Sequence, residues 1–173
     1  LTKNKPKSFV KIDKNKRLID KIKENFENLG FRKRIIITGY KNNQFNQFKQ
    51  FKKIKNEKWK TTNIFGSLIC ADKILSKYQC IISYADIFYS PFLLPSLIET
   101  KYNLALAYDP NWLALWKQRF EDPLVDAETF NLRKGVISNI GDIPNSISEI
   151  QGQYMGLFKI TPLAWLQFKQ AFN

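Results

Sequence analysis

The sequence has no histidine and only two cysteines, Cys70 and Cys80, in 173 residues. Without histidine there is no Ser-His-Asp or Cys-His triad, no HExxH zinc centre and no imidazole proton shuttle. Any catalysis must run on carboxylates, lysines, arginines, hydroxyls or a bound metal. Two cysteines build neither a disulfide framework nor a four-cysteine zinc site, and they fit a reducing, cytoplasmic compartment. No apolar run reaches the ~18 residues needed to cross a bilayer, so no membrane insertion is expected. The opening residues lack the apolar h-region of a secretory signal. They also lack a starting methionine, and the chain is expected to be a piece of a longer protein.

Hydrophobic residues at 44% and charged residues at 25% give an ordinary globular balance, and the length fits one domain spanning 1–173. The charge of +13 is unevenly placed. Residues 1–60 hold 19 Lys/Arg against 5 Asp/Glu, and residues 61–173 hold 9 against 10. A basic half points to a polyanionic partner or, more blandly, to a solvated lysine-rich face. The stacked-aromatic and GxxG signatures of RNA-binding modules are missing, so no nucleic-acid partner is expected.

Along the chain, strand and helix signals alternate. Ser8 to Ile12 is short and alternating. Leu18, Ile22, Phe26 and Leu29 mark one helix face, closed by Gly30. Arg34 to Thr38 reads as a buried parallel strand stopped by Gly39. Gln44 to Phe51 reads as a polar helix whose Phe45, Phe48 and Phe51, spaced by threes, are expected to be exposed and hint at a homodimer interface. Asn63 to Leu75 is a helix with Thr62 or Asn63 as N-cap. Then come a strand at Cys80 to Tyr84, a helix at Pro91 to Glu99 and a strand at Asn103 to Tyr108. The rhythm turns antiparallel through Phe130, Val136-Ile137 and Tyr154 to Ile160. A helix from Pro162 to Phe172 closes the chain. The expected fold is α/β: a Rossmann-like open, mostly parallel sheet flanked by helices, with a small antiparallel section in the second half.

In such sheets ligands sit at the carboxyl ends of strands. Thr38-Gly39-Tyr40 is one such end, where a glycine permits close approach. Ser83-Tyr84-Ala85-Asp86 is another, and there a carboxylate can either hold a hard divalent cation or cap a turn. Lys7, stiffened by Pro6, offers a point charge for phosphate or a solvated tail residue. Asp126 and Glu128, two apart, share a face if extended, as paired carboxylates or an exposed edge. Gln151 to Gly156 sets glycines around polar and aromatic groups before a strand. Trp112, Trp116 and Phe120, spaced by fours, anchor a helix to the core or, in a sharper reading, wall a site for an ammonium group.

Taken in order, these landmarks resemble a known family. Leu1-Thr-x-x-x-Pro6-Lys7-Ser-Phe-Val resembles a stretch of the sugar-phosphate-type nucleotidyltransferases that follows a Gly-rich G-x-G-x-R loop. Thr38-Gly39-Tyr40 resembles the family's TGY strand end. Thr62-Asn63-Ile-Phe-Gly-Ser67-Leu resembles the Thr-Asn…Ser-Leu stretch of the choline-phosphate and phosphonate cytidylyltransferase branch. Tyr84-Ala85-Asp86 stands at the metal-binding G-D, with alanine for glycine. Asp126-Ala-Glu128-Thr and Glu149 to Leu157 resemble a subgroup that includes phosphoglutamine cytidylyltransferases.

The resemblance implies that an NTP, expected to be CTP, is joined to a phosphorylated or phosphonylated small molecule with release of pyrophosphate and with Mg²⁺ as cofactor. It implies Asp86 as metal ligand and Lys7 as phosphate-neutralising group, both catalytic. Gly39, Thr62, Asn63, Ser67 and Tyr84 would contact the nucleotide, and Asp126, Glu128 and Gln153 the acceptor. Cell-surface polysaccharide decoration is the implied setting. The Gly-rich loop should precede Leu1 and a second metal-binding Asp should follow Asn173, and omission of those flanks is expected. A sugar-1-phosphate nucleotidyltransferase and a non-catalytic nucleotide-binding domain are the alternatives.

Overall fold

The computed structural model describes residues 2–172 except Lys3 and Arg32, so Leu1 of the opening motif lies outside the described residues. Helix α1 (Leu18–Glu27) starts where the Asp20 carboxylate accepts from the Arg17 amide at 3.0 Å, and its chain turns back at Gly30, φ +65°. Strand β1 (Ile35–Thr38) pairs in parallel with β2 (Lys52–Lys55). Strand β2 was not legible in the sequence: three of its four residues are lysine, the charge that blunts an edge strand.

Helices α2 (Ile64–Ile69) and α3 (Asp72–Leu75) occupy the stretch predicted as one helix. The break at Ala71 frees Asp72 to face the last helix, where its carboxylate accepts from Trp165 Nε1 at 2.8 Å and pairs with Lys169 Nζ at 2.7 Å. Those contacts hold the Asp72 carboxyl down at about 2.

Strands β3 (Cys80–Ser83) and β4 (Leu104–Asp109) flank β7 (Gln153–Ile160), each antiparallel to it. Helices α4 (Leu93–Glu99) and α5 (Trp112–Arg119) follow β3 and β4 respectively, β5 (Phe130–Arg133) and β6 (Val136–Ile140) form a hairpin, and α6 (Pro162–Ala171) is capped by the Thr161 hydroxyl. The mixed α/β class is as expected. The continuous, mostly parallel sheet is not: the described residues form a parallel pair, an antiparallel trio and a hairpin. Strand β7 is the spine, with Phe158 and Ile160 packed on Leu68, Leu75 and Trp165, and Leu157 packed on Leu94 and Leu97. Between β1 and β3 lies a cavity of about 760 Å³.

Two further expectations are corrected. Ser8 to Ile12 is not a strand; Lys7–Phe9 forms one 3₁₀ turn, and Lys11 bridges to Arg17. The polar helix at Gln44 to Phe51 is a 3₁₀ segment at Asn42–Gln47, whose three-residue turn explains phenylalanines spaced by threes. Phe45 and Phe48 are not exposed: they close over Phe9, with ring centroids 5.0 and 6.0 Å from it, and form a core of their own. Among the described residues no helix is long and apolar enough to cross a membrane.

Candidate functional site

Lys7 opens the 3₁₀ turn after Pro6, and Asp86 lies three residues past β3. Their charged groups meet at 4.0 Å, a loose pair with most of the lysine in solvent. Tyr84, between strand and carboxylate, is half-buried and fixed by its amide, which donates to the Gly156 carbonyl at 2.8 Å. Gly156 is required there: its φ is +76°, and a Cβ would stand 2.8 Å from the Tyr84 ring. The Tyr84 ring meets Tyr154 edge-on at 5.9 Å. Burial pushes the Tyr84 phenol up, and the Asp86 and Glu128 carboxylates add to the shift, which brings all three into one electrostatic neighbourhood. Burial likewise lifts the Tyr154 phenol far above its ordinary range.

Gln153, buried at the start of β7, reaches that neighbourhood through its Nε2, which donates to the Glu128 carbonyl at 2.8 Å. Asp126 ends the 3₁₀ turn Pro123–Asp126, and its carbonyl accepts from Trp116 Nε1 at 3.2 Å. The segment from Asp126 to Glu128 is therefore no strand, and the shared strand face expected for the two carboxylates does not form. Trp112 is buried with its Nε1 on the Ile150 carbonyl at 3.1 Å, so these tryptophans anchor α5 to the core. Among the described residues no three His, Cys, Asp or Glu side chains cluster as a metal site. Asp86 stands as a single oxygen donor.

The other arm surrounds a residue that sequence reasoning missed. Asn56, just past β2, is buried; its Nδ2 donates to Thr62 Oγ1 at 2.9 Å and Ser67 Oγ at 3.1 Å. Its Oδ1 accepts from the Lys58 amide at 2.9 Å, and its own amide donates to the Thr38 carbonyl at 2.8 Å. Asn63 caps α2, its Oδ1 accepting from the Gly66 amide at 3.2 Å. Gly39 does not open space for a ligand, because Trp59 packs where its Cβ would be. No local pattern in the lysine-rich Lys52–Lys55 strand marked Asn56, whose side-chain partners lie 6 and 11 residues further along the chain. Ser67, Tyr84 and Asp86 line the same cavity, so the two arms share its mouth.

The chain is 36% identical over 170 residues to the CTP:phosphoglutamine cytidylyltransferase of Campylobacter jejuni, an alignment that takes in 93% of this chain and 67% of that enzyme. The chain belongs to the nucleotidyltransferase family. No family model matches it. Two solved nucleotidyltransferase structures share the fold. The inositol-1-phosphate CTP transferase of T. maritima superposes with a TM-score of 0.70 at 15% identity, covering 93% of this chain and 64% of that one. A Bacillus anthracis protein assigned as a glucose-1-phosphate thymidylyltransferase, in complex with sucrose, gives 0.70 at 12% identity, covering 94% and 65%. The chain thus spans about two thirds of each relative's length.

Proposed function

We propose that the protein carrying this chain is a cytidylyltransferase that joins CTP to a phosphorylated small molecule in the cytoplasm. An oxygen of the acceptor's phosphate attacks the α-phosphorus of CTP; the new P–O bond forms as the α–β bridge breaks and pyrophosphate leaves with the electron pair. Positioning and charge neutralisation carry such a reaction, which suits a chain with no histidine. The reading rests on one observation above the others. The Lys7–Asp86 pair stands at the end of β3 in a chain 36% identical to a CTP:phosphoglutamine cytidylyltransferase.

Asp86 suits Mg²⁺, which binds through one or two carboxylates and completes its shell with phosphate oxygens and water. When bound, the ion would neutralise triphosphate charge beside Asp86. Lys7 supplies a second positive charge to the phosphates. Tyr84 keeps its proton at neutral pH, since its pKa is raised, and can donate that hydroxyl to an anionic oxygen. The Asn56-braced arm of Thr62, Asn63 and Ser67 shapes the nucleotide side. Glu128 and Asp126 offer carboxylates, and Gln153 its side-chain oxygen, to an acceptor bearing a cationic amine or an amide.

The test is pyrophosphate release by the intact gene product with Mg²⁺, each of four NTPs and a panel of phosphoglutamine, phosphocholine, phosphonates and sugar 1-phosphates. Release with CTP and an amine- or amide-bearing acceptor, lost in Asp86→Ala, is expected. Release with a sugar 1-phosphate instead would move the acceptor assignment. Nucleotide binding without release across the panel would overturn the catalytic reading.

A further inference from the structure

The loop that carries Asp86 runs from the end of β3 to α4 and is tied down on both sides of that carboxylate. Before it, the Tyr84 amide donates to the Gly156 carbonyl at 2.8 Å, and the Tyr84 carbonyl accepts from the Ser83 hydroxyl at 2.9 Å. After it, Tyr89 is 3% exposed and packs with Leu94, Leu97 and Leu157. The Tyr89 carbonyl accepts from Asn25 Nδ2 on α1 at 3.5 Å. Asp86 lies between these anchors, in the turn at Ala85-Asp86.

Three polar side chains meet at the base of this loop, in a layer that is otherwise apolar. Ser83 lies opposite Leu157 and two residues past Ile81, so alternation turns its side chain to the sheet face on which Tyr89 packs. Asn25, buried, stands three residues past Ile22, which packs in the same layer. Among the described residues, Tyr89 Oη is the buried side-chain oxygen left without a hydrogen bond. Burial pushes its phenol up, and the Ser83 and Asn25 side chains beside it draw part of that rise back. An unsatisfied buried hydroxyl destabilises a fold, and phenylalanine would fill the same space without that cost. The phenol works against the fold unless it serves the loop.

We infer that Tyr89 is a positioning residue for Asp86, acting through Ser83. A small rotation at either side chain lets the phenol donate to Ser83 Oγ, which itself donates to the Tyr84 carbonyl. Each bond in such a chain polarises and strengthens the next. Tyr84 is then fixed at both its amide and its carbonyl, directly ahead of the turn. That sets where the Asp86 carboxylate stands relative to Lys7, 4.0 Å away. The consequence for catalysis rests on the function proposed above; the fixing of the loop does not.

Tyr89→Phe in the intact gene product removes one oxygen and keeps the ring, and two readouts separate positioning from packing. The first is amide hydrogen exchange at Tyr84. Ile82 is its internal reference, because alternation puts the Ile82 amide on the same β7 side. The second is the split between kcat and KM for CTP in pyrophosphate release. Tyr84 is expected to exchange about 10-fold faster with Ile82 unchanged, the size of one hydrogen bond. The kcat should fall by about 10-fold with KM for CTP unchanged, and the thermal midpoint should not fall. Ser83→Ala, which removes the middle of the chain, should reproduce both effects, and the double variant should add nothing further. Unchanged exchange at Tyr84, or effects of the two variants that add, would overturn the chain. Tyr84 and Ile82 loosened together, with a lower midpoint, would assign Tyr89 to core packing instead. A loosened Tyr84 with kcat intact would overturn the role toward Asp86. Exchange needs no nucleotide, so a wild-type protein that releases no pyrophosphate sinks the proposed function and leaves the hydrogen-bond chain to be judged by exchange alone.

Discussion

On the arm of the site built from Thr62, Asn63 and Ser67, each polar side chain already has a bond within the protein. On the other arm Lys7 and Asp86 meet at 4.0 Å with 76% and 42% of their side chains exposed. The first arm is a scaffold in which Asn56 satisfies two hydroxyls at once. The second holds charges with most of their hydrogen-bonding capacity unused. A ligand bearing several negative charges is therefore expected to find its strongest interactions at the loose arm and its shape at the braced one. The difference predicts that the two arms fail in opposite ways when mutated.

Asp86→Ala should give the largest loss, on the order of 10²–10³ in the rate of pyrophosphate release, with the thermal midpoint unchanged. A drop in that midpoint would show that Asp86 belongs to the scaffold after all. Lys7→Met should cost about 10–100-fold, the size of one charge-assisted bond, again without loss of stability. Asn56→Ala should do the reverse. Three partners lose their bonds to a buried side chain in a part-buried setting, at about 1–3 kcal/mol, and the thermal midpoint should fall by several degrees while metal dependence of the residual activity stays as before. If Asn56→Ala removes activity and leaves stability intact, the scaffold assignment fails.

The smallest effect lies outside both arms, at the clamp between α3 and α6. The Asp72 carboxyl is held at about 2, below its ordinary 3.8, chiefly by its bond to Lys169 and then by Trp165. A depressed carboxyl stabilises the fold above the unfolded value and loses that contribution as pH falls through the folded one. Asp72→Asn should thus lower stability near neutrality by roughly 1 kcal/mol or less, since the carboxylate is partly exposed. Thermal melts of the two proteins should converge between about pH 4 and pH 2. A difference that persists at pH 2 would place the effect in packing and not in charge.

The elements legible from local pattern were α1, with its apolar spacing closed by Gly30, the β-branched run of β1, the strands β3 and β4, and α6 behind Pro162. Each is set by a period or a stop signal within a dozen residues. Strand β2 escaped because lysines hide an edge strand, and Phe45 and Phe48 were misplaced because a three-residue period looks like an exposed stripe until Phe9 arrives from elsewhere. The candidate site divided similarly. The position of Asp86 past an apolar strand and of Lys7 after Pro6 was visible in the sequence, while their approach was not. Gly39 was read as room for a ligand and is taken by Trp59.

By itself, then, the sequence determined which chemistry was excluded, where most helices and strands lie, and the order of landmarks shared with a nucleotidyltransferase family. The antiparallel partnership of β7 with both β3 and β4, the Asn56 hub and the approach of Lys7 to Asp86 were decided only in the tertiary structure. The reason is physical. Propensity and periodicity act over a few residues, whereas strand pairing and side-chain partners across 40 or more residues depend on which surfaces pack together once the chain has collapsed.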